Sequence, residues 1–269
     1  MVVSLFHALV VVHIAIGAIG LVSFWVPVLA KKGREVHKRG GRLFARTMLV
    51  TGVIAVSISV TSLIEPRGTH PLVTDVPLIR AQFGWLMMFL GVLTFGFAWH
   101  GLAAVRHRHN HRQHRRPISV VVPVLVIVTG VHCAYQGAFV VDQPLLVWVG
   151  LLGAFSASTI LHFIFSDDHD PREWLHQHLR SSVGAGISAY TAFLAVMIVR
   201  VRPEEAFNPW LWILPTIPGS IYIGRHEGPL FAARFRDRRR RATAAAASTA
   251  DSPTATTTVS TTTTTDAPP

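Results

Sequence analysis

Seven long apolar segments between Leu5 and Ile223 limit this chain to a helical fold inside a membrane. An α-helix needs about 20 apolar residues to cross the hydrocarbon core; five segments reach that length, the sixth is near the lower limit and the last is short. At that depth every backbone amide must be hydrogen bonded within the protein, so the segments must be helices. We therefore predict an all-α, polytopic bundle of seven transmembrane helices. The segments are Leu5–Ala30, Leu43–Ile64, Ala81–Val105, Ile118–Val141, Leu145–Phe165, Val183–Val199 and Trp210–Ile223.

The basic residues predict how this bundle is oriented. All but four of the 25 Lys and Arg residues lie in residues 31–46, 105–116, 166–182 and 224–241, which seven crossings place on one face. Basic loops stay on the cytoplasmic side, so we expect a multi-pass protein of the inner (plasma) membrane, with its N-terminus outside and its C-terminus inside. The charges around Lys31 follow the first segment instead of preceding it, which indicates a span and not a cleaved signal.

The net charge of +11 follows from the same topology. Basic loops gain roughly 1 kcal/mol per residue from anionic lipid headgroups, so we expect membrane lipids as partners and no nucleic acid. We divide the chain into a transmembrane domain (1–225), a basic juxtamembrane segment (226–241) and a tail (242–269). The tail is rich in Ala, Thr and Pro and has few large apolar residues, so we expect it to be disordered on the cytoplasmic side.

Four histidines are the ionisable residues that most need an explanation. The apolar segments contain no Asp, Glu or Lys, yet His13, His132, His100 and His162 lie inside four of them. A helical rise of about 1.5 Å per residue puts His13 and His132 roughly 12–13 Å below the outer end of their helices. It puts His100 and His162 roughly 5–8 Å from the inner end. Ionisable groups at membrane depth are costly and usually functional, so we predict an outer pair and an inner pair of buried imidazoles.

Neutral imidazole ligates haem iron, zinc and copper, and none of these needs a carboxylate in the membrane. Our leading interpretation is a protein of electron transfer or redox sensing that holds a b-type haem, between His13 and His132 or between His100 and His162, or a divalent metal. For a metal ion the candidate ligands are His13, His132, His162 and His178. The two tiers differ in depth by only about 10 Å in a core of about 30 Å, which favours one haem, or none, over two.

Two other function classes stay open, as does a plain core role for each histidine. One is a transporter or lipid-binding membrane protein that uses histidine without a cofactor. The other is a metal-dependent membrane hydrolase, for which Ser166–His178 supplies three Asp, one Glu and three His. The lack of carboxylates in the apolar segments weakens both proton-coupled transport and hydrolysis. Loop 106–116 alternates four His with five Arg, and we interpret it as a basic, lipid-facing loop because the arginines repel a metal cation.

Several short stretches, in a fixed order, resemble a known family. They are His13-Ile-Ala-Ile-Gly17, Val36-His37-Lys-Arg-Gly-Gly-Arg42-Leu-Phe44, Trp174-Leu-His-Gln-His178, Ser188-Ala-Tyr-Thr191-Ala-Phe193 and Trp212-Ile-Leu-Pro-Thr216. Over roughly residues 5–225 the chain resembles an uncharacterised bacterial family of predicted membrane proteins, domain of unknown function 2306. The resemblance implies a multi-span inner-membrane protein and no particular activity. It directs attention to His13, His37, Arg42 and His178.

Overall fold

The computed structural model describes residues 1–167, 170–202, 205, 207–228 and 243, without the side chains of 199 and 200. Six helices within these ranges are long and apolar enough to cross a membrane, and no strand occurs among them. The prediction of an all-α membrane protein is confirmed at this level. The helices are α1 (Val2–Leu29), α2 (Glu35–Ile64), α3 (Val76–Arg106), α4 (Pro117–Phe139), α5 (Pro144–Phe165) and α6 (Glu173–Val201).

Helix α3 is the centre of the bundle. It packs against α2, α4 and α6, while α1 packs mainly on α2 and α5 mainly on α4. In the most apolar window of α3, 61% of the residues are buried, against 11% in α1. The side chains of Phe89 and Leu86 are fully buried at its core. The first part of α3 is a π-helix, Arg80–Leu86, a form that occurs mostly as single turns and often near functional sites.

Two pairs of glycines let the backbones of neighbouring helices touch. A Cβ atom on Gly150 of α5 would lie 2.3 Å from the carbonyl oxygen of Gly130 in α4. A Cβ atom on Gly52 of α2 would lie 2.8 Å from the carbonyl oxygen of Gly91 in α3. Small residues allow the backbones of membrane helices to approach this closely. In lipid no hydrophobic effect drives the association of helices, so van der Waals contacts of this kind hold them together.

A polar seam runs between α3 and α6 inside the bundle. The hydroxyls of Thr94 and Ser188 form a buried hydrogen bond of 2.6 Å. Nearer the helix ends, the Nε2 atom of His100 lies 3.2 Å from the amide oxygen of Gln177. These pairs satisfy polar atoms that hydrocarbon would leave without partners, and so fix the register of the two helices.

Helices α2 and α6 show the largest shifts between their predicted and observed starts. Helix α2 starts at Glu35 instead of Leu43, and α6 starts at Glu173 instead of Val183. In α2 the added turns are polar, and the carboxylate of Glu35 accepts a hydrogen bond from Arg39 one turn later. Such pairs stabilise exposed helix surface, so the helix extends past the apolar segment. Apolar length alone therefore underestimates both helices.

The last apolar segment forms two short helices, α7 (Pro209–Ile213) and α8 (residues 216–228). The side chain of Asn208 caps α7 by accepting a hydrogen bond from the backbone N–H of Trp210 at 3.0 Å. Between the two helices lies Pro215, which has no N–H with which to continue the hydrogen bonds of α7. The proline thus explains why this segment is not one long helix.

Residues 212–222 nevertheless follow α6 in the antiparallel direction. Trp212 belongs to the same buried cluster as Ala195 near the end of α6. Further along, a Cβ atom on Gly219 would lie 2.5 Å from Ile187, which is about two turns closer to the start of α6. All of these residues lie in the compact unit Met1–Ile223. The predicted tail at 242–269 lies outside the described residues, apart from Thr243.

Candidate functional site

Histidines collect at the end of the bundle that carries loops 30–34, 107–116 and 166–172, which we call the basic end. His100 in α3 is 3% exposed and His114 in the short 3₁₀-helix His111–Arg115 is 1% exposed. Their ring centroids are 6.2 Å apart, and both rings pack against the ring of Phe163 in α5. His107 and His111 each lie 5.5 Å from His114 between ring centroids.

Loop 106–116 reaches this position because it caps the C-terminal end of α5. The last carbonyl groups of a helix have no partners within the helix. The Nε atom of Arg115 donates to the carbonyl oxygen of Ile164 at 3.2 Å, and its Nη2 atom donates to that of Phe165 at 3.2 Å. Arg115 also pairs with the carboxylate of Asp167, and its positive charge is favourable at a helix C-terminus. The interpretation of this loop as lipid-facing is therefore wrong for His114, which is buried.

His107, which follows α3, differs electrostatically from an ordinary surface histidine. Partial burial lowers the pKa of His107 below its ordinary value, and the charges of Arg116 and Arg106 lower it further. The neighbouring arginines that repel a proton also repel a metal cation. The loop histidines are therefore better suited to packing as neutral rings than to binding a cation.

The predicted inner pair is not brought together. His162 lies on the exposed side of α5, while the adjacent residue Phe163 points into the bundle and contacts His100. The expected burial of His162 is wrong, and His114 takes the place beside His100 instead. Composition does not indicate this position, because His114 stands among arginines in a loop. One signal could have indicated this position of the loop. The last carbonyl groups of α5 have no partners within the helix, so they need a donor from a nearby loop.

The predicted outer pair lies on two helices with different neighbours. His13 in α1 faces the backbone of Thr51 in α2, and its buried Nδ1 atom has no hydrogen-bond partner among the described residues. His132 in α4 packs against Trp85 of the π-helix, with 4.1 Å between ring centroids, and its Nε2 atom lies 3.1 Å from the side-chain nitrogen of Gln136. The described contacts thus place the two imidazoles in separate surroundings.

These surroundings do not fit a haem between either pair. One turn from His13, a Cβ atom on Gly17 would already be in van der Waals contact with Thr51, and one on Gly20 would clash with Met48 at 2.1 Å. Side chains of α2 therefore fill the space beside His13. The cavity beside His100 has a volume of about 10 Å³, no more than a single water needs. Haem binding stays a prediction that spectroscopy can test. The structure does not bring together the two histidine pairs on which we based it.

A second histidine pair at the basic end joins four helices. The Nδ1 atom of His37 in α2 lies 3.0 Å from the carbonyl oxygen of Pro27 in α1. The Nδ1 atom of His178 in α6 lies 2.9 Å from the carbonyl oxygen of Gly101 in α3. The two ring centroids are 6.5 Å apart. Arg42 is directed elsewhere, with its Nη2 atom 3.6 Å from the carboxylate of Glu35.

The described residues of the acidic loop Ser166–His178 do not form the metal centre that a hydrolase requires. Asp167 pairs with Arg115, and the carboxylate of Asp170 accepts a hydrogen bond from the backbone N–H of Arg172 at 2.8 Å. Residues 168 and 169 lie outside the described residues. Within the described part of the chain, no three His, Cys, Asp or Glu side chains are grouped so that they could hold a metal ion.

An apolar cleft lies between α1, α6 and the segment formed by α7 and α8. Its volume is about 410 Å³, within the range of small-molecule sites. Its walls include half-exposed Trp25 and Leu214, so it opens toward the surroundings of the bundle. The lining residues are Phe24, Trp25, Val28, Val183, Gly186, Ile187, Tyr190, Leu194, Leu214, Pro215, Pro218, Gly219 and Tyr222.

Comparisons of this chain with protein-family models, curated proteins and solved structures found no match. The chemistry of the cleft and of the histidines therefore has to be argued from this structure.

Proposed function

We propose that this protein is a multi-pass membrane protein that binds the acyl chain of an anionic phospholipid in the cleft between α1, α6 and the α7–α8 segment. The observation that carries the proposal is the cleft itself, which combines an apolar wall with an opening to the outside of the bundle. A cavity lined in this way favours an apolar chain, because a polar ligand would lose hydrogen bonds on entering.

The polar atoms of the cleft wall already have partners. The indole N–H of Trp25 donates to the hydroxyl of Tyr190 at 2.7 Å, and this hydroxyl donates to the carbonyl oxygen of Leu21 at 2.9 Å. These bonds use the donors of both side chains. The two aromatic residues therefore offer the ligand ring surface and methylene contacts, which suits a hydrocarbon chain.

The charge at one end of the cleft favours an anionic headgroup. The ammonium group of Lys32 lies 5.5 Å above the ring of Tyr222, one of the lining residues. It donates to the carbonyl oxygens of Pro27 and Val28 at 2.8 and 2.6 Å, and an ammonium has three donors. One donor and the positive charge are thus available to a phosphate. Among the described residues that line the cleft, none is acidic.

A photoreactive lipid tests this proposal. We would reconstitute the full chain in nanodiscs containing phosphatidylglycerol with a diazirine in its acyl chain, and map the labelled residues by mass spectrometry. Leu194→Trp fills the cleft and should reduce its labelling several-fold. The matched control Leu152→Trp makes the same change at an exposed site of α5 and should leave the labelling unchanged.

Two outcomes would contradict the proposal. Equal labelling in Leu194→Trp and in Leu152→Trp would show that no chain occupies the cleft. Equal labelling by a phosphatidylcholine analogue, together with no effect of Lys32→Gln, would overturn the preference for an anionic headgroup. Both experiments leave the helices and their packing at α3 untouched, so a loss of labelling reports on the cleft.

The proposal includes seven crossings in the inner membrane, with the N-terminus outside. In support, residues 212–222 follow α6 in the antiparallel direction, and Tyr222 meets Lys32 at the basic end. Single cysteines at 33 and 72, in a Cys133→Ser background, test the orientation in intact cells. A membrane-impermeant maleimide should label Leu72→Cys and not Gly33→Cys; the reverse result would invert the topology. Membership of the domain of unknown function 2306 family stays a prediction from the motifs.

A further inference from the structure

His37 and His178 are held in a way that leaves one nitrogen of each ring for a ligand. A carbonyl oxygen only accepts hydrogen bonds, so an Nδ1 atom at 2.9–3.0 Å from a carbonyl must carry a proton. The hydroxyl of Ser182 lies 3.3 Å from the Nδ1 atom of His178, but it cannot donate to a nitrogen that already carries a proton. The Nε2 atom is therefore the one that can bind a metal in both residues. Metal-binding histidines commonly have this arrangement, with the other ring nitrogen donating to a backbone carbonyl.

The separation of the two rings matches a metal held between them. With bonds of about 2.0 Å from metal to nitrogen, and about 1.1 Å from each nitrogen to its ring centre, two imidazoles on opposite sides of one ion have centroids about 6.2 Å apart. At a tetrahedral angle the separation falls to about 5 Å. The observed 6.5 Å slightly exceeds the linear value, so the two rings, with their Nε2 atoms turned toward each other, must approach by about 0.3 Å to share one ion. The planes of the two rings are 80° apart, so neither ring stacks on the other.

We propose that His37 and His178 form a two-histidine site for a transition-metal ion, Cu⁺ or Zn²⁺, at the basic end of the bundle. Imidazole suits both metals, and a nearly linear arrangement with two donors favours Cu⁺. The site joins α2 to α6, and through the carbonyl groups of Pro27 and Gly101 it also includes α1 and α3. It is separate from the cleft residues and does not depend on lipid binding.

Asparagine variants separate metal binding from a structural role. The side-chain amide of Asn can donate the hydrogen bond that Nδ1 donates, but it has no group in the place of Nε2. We would compare the purified full chain with His37→Asn, His178→Asn and the double variant, titrating Cu⁺ and Zn²⁺ against a competing chelator. His7→Asn is the matched control, because the Nδ1 atom of His7 makes the same kind of bond, to the carbonyl oxygen of Val3 at 2.8 Å.

We expect His37→Asn and His178→Asn each to lose the same single bound ion, the double variant to lose no more than either, and His7→Asn to bind as the wild type does. Ions bound by loop 106–116 contribute equally to all variants and cancel in the comparison. Unchanged stoichiometry in both single variants, or a loss of two ions in the double variant, would overturn the proposal. X-ray absorption of the copper-loaded wild type is a second measurement that needs no variant. Two imidazole donors support the site, and fewer than two would refute it.

Discussion

A glycine-to-alanine substitution at the contact between α4 and α5 should destabilise the bundle, although alanine is the better helix former. The new Cβ atom of Gly150→Ala would lie 2.3 Å from the carbonyl oxygen of Gly130 and 3.0 Å from the backbone nitrogen of Ala134. Ordinary contact begins near 3.4 Å, so the helices must separate by about 1 Å. Both neighbouring atoms belong to the backbone, so no rotation of a side chain can relieve the clash.

The magnitude follows from two opposing effects. Alanine gains about 1 kcal/mol over glycine within a helix. Overpacking costs about 1–3 kcal/mol, and sometimes more. Because backbone cannot yield locally, we take the upper part of that range and expect a net loss of about 1–2 kcal/mol.

Gly17→Ala is the matched control, since its new Cβ atom would meet only a methyl group of Thr51, at 3.9 Å. It should be neutral or stabilising by up to about 1 kcal/mol. Unfolding by SDS in mixed micelles, followed by circular dichroism, measures both variants. If Gly150→Ala is as stable as Gly17→Ala, α4 and α5 do not touch at this point and the packing described here is incorrect.

Three further predictions concern other parts of the chain. Trp25→Phe removes the hydrogen bond to Tyr190 and should destabilise the protein by about 0.5–1.5 kcal/mol, whereas the same change at exposed Trp148 should be neutral; the SDS titration checks both. Burial lowers the pKa of His70 to about 4, so the stability that its neutral ring provides should fall as pH drops from about 6.5 toward 4. After correction for the intrinsic exchange rate, which itself falls with pH, the hydrogen-exchange protection of the loop around His70 should decrease over that range, and His70→Phe should abolish the decrease. A reduced-minus-oxidised spectrum of the purified protein tests the haem prediction, for which a Soret band with stoichiometric iron would be positive evidence.

The sequence was a good guide to the helices because hydrocarbon leaves the backbone little choice. Six of the seven apolar segments correspond to long helices, and their order is as predicted. The errors occur at the ends, where polar residues continue α2 back to Glu35 and α6 back to Glu173. In α2 the pairing of Glu35 with Arg39 stabilises the added turns, and hydropathy does not register such pairs.

The site was harder to predict, because depth along a helix says nothing about its rotation. His100 and His162 lie at similar depth, yet one ring is buried and the other faces outward. The neighbour of His100 is His114, which lies in a loop. The basic composition of that loop did not indicate that it caps a helix. His37 was named from the motif resemblance and His178 also as a candidate metal ligand, and only the structure shows that their rings are neighbours.

The central position of α3 has a consequence for how the protein is made. The mean hydropathy of its best window is 1.6, against 2.4 for α1, and that of α6 is 1.5. The two least apolar helices are thus partners across the polar seam, but about 70 residues separate the end of α3 from the start of α6 along the chain. When α3 leaves the ribosome, α6 has not been synthesised, and Thr94 lacks its hydroxyl partner Ser188. The early neighbour of α3 is α2, joined through Gly52 and Gly91. A bulky residue at either glycine should therefore lower the yield of inserted protein by more than its effect on the free energy of unfolding of the finished bundle would predict.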